Sequence, residues 1–160
     1  MLGVKRTMNS RIPTVLALYK LKLLSNEEVI EWTDQQLMNE TEPFDFISEL
    51  SLRGPDKCMK LPEYDFPRAR EFSYIEEFSL RLVKLAENYD LEAYNFFQWV
   101  SRAAMGLDIE QREVHLGYLA EHYFLECYDL SFARNYLKNE VFDLLPSCKE
   151  RVNSIWREIT

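Results

Sequence analysis

The stretch LEAYNFFQWVSRAAM, residues 91–105, decides the fold class. Leu91, Ala93, Tyr94, Phe96, Phe97, Trp99, Val100, Ala103, Ala104 and Met105 leave it apolar on most sides. No alternation of period two interrupts it, and no Pro or Gly breaks it, so it reads as an enclosed helix at the centre of the fold. Its aromatics read as core packing rather than as a ligand pocket, because no polar group is recruited to face them.

Outward from that segment, helix-start chemistry punctuates the chain. Towards the N-terminus, a longer helix is expected over about 68–88, where Ile75, Phe78, Leu82 and Leu85 recur at helical spacing. Gly54-Pro55 breaks a helix begun by Thr41 and Pro43, and a short helical piece follows from Pro55 to Leu61. Ser25 and Glu28 form an S-x-x-E capping box that opens a helix to about Glu40. Ser10 and Pro13 place the first helix over about 13–23, since proline suits a first turn. Towards the C-terminus, Asp90 caps the central helix, and Asp108 with Gln111 starts one reaching about Leu130. Ser131, and Ser147 with Glu150, start two more. These readings give an all-α chain of eight or nine helices in antiparallel pairs, a compact bundle in one domain over residues 1–160. A degenerate α-solenoid is the alternative, although no period of about 34 or 40 residues survives comparison of the helix pairs.

Composition agrees. The 160 residues are 47% apolar and 29% charged, enough for a real core, and four glycines with six prolines are too few for the turns of a sandwich or barrel. Acids outnumber bases 27 to 19, a formal charge of −8, which argues against nucleic-acid backbone binding. Cys58, Cys127 and Cys148 are an odd set without C-x-x-C spacing and read as reduced, packed thiols, as expected in the cytoplasm. No apolar run approaches the ~18–20 residues of a membrane span, so no membrane association is expected.

Sites for chemistry are scarce. His115 and His122 lie two turns apart on one expected helix, about 10.5 Å, too far to chelate one ion unaided. His122 and Glu126 form an i,i+4 pair, and no Glu-x-x-His motif occurs. No motif joins a cysteine to either histidine, and neither a Gly-x-Ser-x-Gly elbow nor a phosphate-binding glycine loop is present. The expectation is therefore a protein that is not an enzyme, with no catalytic residues, no metal and no cofactor. A small metal-dependent enzyme built on His115, His122 and Glu126 is the least favoured alternative.

Charge placement carries the functional signal. Residues 1–24 hold five bases and no acid; residues 25–50 hold eight acids and no base. At about 100° per residue, Glu27, Glu31 and Asp34 fall within roughly 60° of one another, while Ile30, Thr33 and Leu37 form an adjoining core-facing side. Trp32 lies away from the stripe and reads as a core residue or apolar anchor. Two readings compete. In one, the basic first helix folds back on the acids, Lys20 and Lys22 near Glu27 and Glu28, and the block neutralises itself. In the other, Glu27, Glu31 and Asp34, then Glu42, Asp45 and Glu49, form a docking face for a basic protein partner.

The segment from Leu24 to Asp34, followed by Pro43 and Glu49-Leu50-Ser51-Leu52, resembles small bacterial all-helical proteins. These include immunity-type proteins encoded beside polymorphic or contact-dependent toxins. The resemblance implies a stoichiometric, non-enzymatic binder that blocks a toxin through acidic groups facing a basic cleft. A helical scaffold or homodimeric structural protein is the alternative, and both monomer and homodimer are compatible with the sequence.

Overall fold

Ser25 and Glu28 satisfy each other's backbone N–H groups: Glu28 N donates to Ser25 Oγ at 3.1 Å, and Ser25 N donates to the Glu28 carboxylate at 3.1 Å. In this computed structural model, which describes residues 2–39, 45–61 and 66–160, that box opens α2, Asn26–Asn39. Before it stands α1, Leu2–Lys20, and after it α3, Asp45–Arg53, and α4, Pro55–Met59. The later elements are α5, Tyr74–Glu87; α6, Tyr89–Ala103; α7, Arg112–Ala120; a π-helical turn, Glu121–Glu126; and α8, Leu130–Arg157. The chain is all-α, with no strand among the described residues. No described helix is long and apolar enough to cross a membrane.

The chain divides into two compact units. Unit one comprises residues 1–71 and 155–160. Here α2 packs on α3, and α1 packs on α2 and α4. Ile12, Val15, Leu16, Leu18, Val29, Ile47, Leu50, Cys58, Ile155 and Ile159 are buried. Trp32 is half-buried and its Nε1 donates to the Ile159 carbonyl at 2.7 Å, while Thr14 donates to Glu158 at 3.1 Å. Gly54 sits at φ +80°, the left-handed region that stops α3, and Pro55 then occupies the first turn of α4.

Unit two comprises residues 72–154 and is organised around α6, which packs against α5, α7 and the π turn. Phe78, Leu82, Leu85, Phe96, Phe97, Val100, Leu116, Phe124, Leu137 and Val141 form its core. Buried Gly117 of α7 lets that helix close on α6: an added Cβ would lie 2.3 Å from Ala104 Cβ and 2.7 Å from the Val100 carbonyl oxygen. Arg151 ties α8 to α5 and α7, donating to Ser79 Oγ at 3.3 Å and to Glu113 at 3.2 Å.

Several boundaries differ from the sequence reading. Pro13 lies inside α1, not in its first turn. Residues 66–73 are not helical, because Ser73 and Glu76 form a capping box that starts α5 at Tyr74. The helices read at Ser131 and Ser147 are one, α8, with Asp129 Oδ1 accepting from Phe132 N at 3.0 Å at its start. Pro146 is tolerated on its exposed side, and Ser147 Oγ bonds back to the Leu144 carbonyl at 3.1 Å instead of capping. The central helix is not enclosed all round, since Leu91 is 69% and Tyr94 52% exposed. Thr41 and Pro43, read as the start of the third helix, lie outside the described residues.

Candidate functional site

The acid stripe read from the sequence lies on α2. Glu27, Glu31 and Asp34 are exposed, whereas Val29, Thr33 and Gln36 are buried on the packed side. Burial of that side fixes the helix's rotation, so the three carboxylates project from a held face. Thr33 satisfies its hydroxyl by donating to the Ile30 carbonyl at 2.7 Å, which lets a polar residue occupy the core position. Ile30 and Leu37, placed with Thr33 on the core-facing side, are half-buried.

The remaining expected partner-binding acids separate. Asp34 accepts a hydrogen bond from Ser51 Oγ of α3 at 2.5 Å, which orients its carboxylate without cancelling its charge. Glu49 is paired with Arg53 one turn on, at 2.6 Å, and so adds little net field. Glu42 and the side chain of Asp45 lie outside the described residues. The structure thus groups Glu27, Glu31 and Asp34, and neutralises Glu49 locally.

The basic arm bears on whether that face is quenched. Arg11 donates to the neutral Gln36 side chain at 3.5 Å. Lys20, Lys22 and Glu28 line one cleft of about 650 Å³ with Tyr19, Ser25, Asp56 and Lys60. Among the described residues, no ion pair within 4.0 Å joins Lys20 or Lys22 to Glu27, Glu28, Glu31 or Asp34. Tyr19 donates to Asp56 at 2.6 Å, and its pKa is raised by that bond first, then by desolvation and by the charges of Asp56 and Glu27.

A second cluster, in unit two, was not legible as a unit in the sequence. His122 Nδ1 lies 3.1 Å from Glu126 Oε2, the expected i,i+4 pair, and His122 Nε2 lies 3.9 Å from Cys127 Sγ. Cys127 is exposed, against the reading of all three cysteines as packed; Cys58 and Cys148 are fully buried. All three thiols are free, and burial pushes the Cys58 thiol up to about 11 and that of Cys148 upward as well. His115 is exposed elsewhere on α7 and joins no such cluster. Among the described residues, no group of three or more His, Cys, Asp and Glu is arranged to hold a metal ion.

Half-buried Tyr123 and exposed Phe132, Tyr136 and Tyr128 flank the second cluster. The ring of Tyr123 meets His122 edge-on at 4.7 Å, and Tyr123, Phe132 and Tyr136 contact one another with centroids 5.0–5.5 Å apart. Tyr128, at φ +54°, is 84% exposed. No family model, curated protein or solved structure matches this sequence.

Proposed function

We propose that the protein is a non-enzymatic binder of a basic protein partner, with the acidic face of α2 as its docking surface. The observation that carries this reading is the exposure of Glu27, Glu31 and Asp34 on a helix whose opposite side is buried in unit one. Three carboxylates held on one side create a local field that steers a cationic surface and fixes its orientation on contact. The net charge of −8 works in the same direction and against a nucleic-acid partner. The sharpest form of the proposal is a bacterial, cytoplasmic immunity protein of a toxin–antitoxin pair, supported by the resemblance of residues 24–52.

Charge reversal tests the face. Tagged wild-type protein, Glu31→Lys/Asp34→Lys and the unit-two control Glu150→Lys are compared as baits in lysate of the native host, with proteomic readout at low and high salt. Wild type and control should retain the same basic protein, the double variant should lose it, and added salt should weaken retention as the field is screened over about 10 Å at 0.1 M. Identical retention by a folded double variant overturns the proposal.

A second reading, a helical scaffold or homodimer, is favoured by one observation in unit two. Leu130, Phe132 and Tyr136 are each nearly half exposed along the start of α8, close in sequence to exposed Tyr128. Phe132 and Tyr136 stack with ring centroids 5.5 Å apart; exposed apolar surface of this kind serves association, and mass rising with concentration in solution would select that reading.

A further inference from the structure

We propose that Cys127 is a reactive thiol, with His122 as its base, that undergoes exchange with low-molecular-weight disulfides. The proposal does not depend on the acidic face, which lies in unit one.

Backbone geometry brings the pair together. Cys127 N donates to the His122 carbonyl at 3.0 Å, an i to i+5 bond that closes the π turn. In an α-helix, residues five apart are about 140° apart around the axis, so their side chains diverge. The wider π turn returns residue i+5 over residue i, and such turns recur at functional sites. The thiol consequently faces an imidazole whose other nitrogen is already engaged.

That engagement sets the proton inventory. In the tautomer that donates Nδ1–H to the Glu126 carboxylate 3.1 Å away, the lone pair of Nε2 is left towards Cys127. Nucleophile, base and a third group orienting the base are the three parts of an activated nucleophile. Glu126 is a positioning residue here, since it touches only the imidazole. The Tyr123 ring packs on the imidazole in a T-shaped contact, centroids 4.7 Å apart.

The three cysteines are not equivalent. Cys58 and Cys148 are fully enclosed, and burial disfavours their thiolates. Cys127 is the exposed thiol, so selectivity follows from access as well as from the neighbouring base.

In the exchange, His122 Nε2 takes the Cys127 S–H proton as Sγ attacks one sulfur of the disulfide. A new S–S bond forms at Cys127, the original S–S bond breaks, and the departing sulfur leaves with the bonding electron pair. The proton then passes from His122 to that leaving thiolate. One disulfide and one thiol are consumed, and one disulfide and one thiol are produced.

The probe is 2,2′-dipyridyl disulfide, neutral at pH 7, whose released pyridine-2-thione is followed by absorbance, with the modified cysteine mapped by peptide mass. Wild type should show one fast equivalent at Cys127, and Cys127→Ser should lack it. His122→Ala should slow the fast phase at least about tenfold, with rescue by free imidazole, and Glu126→Gln should slow it less. Helicity by circular dichroism checks that each variant is folded, and His122→Gln repeats the test with a bulkier side chain. Modification falling on Cys58 or Cys148, equal rates in wild type and both His122 variants, or a loss that imidazole leaves unrestored would each overturn the proposal.

Discussion

Phe97→Ala is expected to lower the unfolding free energy of unit two by about 3–5 kcal/mol. Phe97 is fully buried on α6, and its ring meets Tyr89, Phe96 and Phe124 at centroid distances of 6.4, 5.5 and 6.1 Å. Those neighbours come from α6 itself and the π turn, and each is held by further ring contacts, so they collapse little into the space left behind. The lost transfer free energy and the residual cavity therefore add. Urea unfolding followed by circular dichroism measures the change, and Phe97→Leu, which keeps most of the volume, should cost clearly less. A loss below about 1 kcal/mol for the alanine variant would mean that the aromatic cluster is not the core of this unit.

Gly117→Ala should cost about 1–3 kcal/mol or more, although it adds a single methyl group. The new Cβ would sit 2.3 Å from Ala104 Cβ and 2.7 Å from the Val100 carbonyl oxygen, and neither can swing aside as a flexible side-chain end would. Relief requires α6 and α7 to separate, which loosens the contacts of Leu116 and Ala120 as well. Gly106 supplies the contrast. It lies at φ +82° with nothing within 4 Å of an added Cβ, so alanine there meets only left-handed backbone strain, roughly 1–2 kcal/mol. Adding Ala104→Gly to Gly117→Ala should restore part of the loss, because it removes the closer of the two clashes. Thermal unfolding of the three variants beside wild type checks both the ranking and the rescue, and a Gly117→Ala protein as stable as wild type would contradict the close approach.

What could be read in advance follows the range of the interactions involved. The Ser25–Glu28 box and the Gly54-Pro55 break are complete within four residues, and both appear where the sequence places them. The Ser73–Glu76 box is equally local, but apolar spacing on both sides of it concealed the start of α5. Pro13 and Ser147 mislead for the opposite reason: a local preference for helix starts is overridden by packing that continues each helix through the residue. The acid stripe was legible because a single helix contains it. The approach of Cys127 to His122 was not, since it depends on a π turn, and α-helical periodicity points the two side chains apart. Neutralisation of Glu49 by Arg53 is an i,i+4 pair visible in the sequence, its base lying three residues beyond the acidic block of 25–50.

The direct measurement of the central claim is a chemical-shift titration of isotopically labelled full-length protein with a twelve-residue Arg/Lys peptide at low and high salt. Recognition by the acidic face predicts perturbations concentrated on the amides of α2 from Glu27 to Asp34, diminished by salt and abolished in Glu31→Lys/Asp34→Lys. Perturbations spread evenly over the exposed acids of both units, or centred on Glu140 and Asp143 of α8, would contradict it.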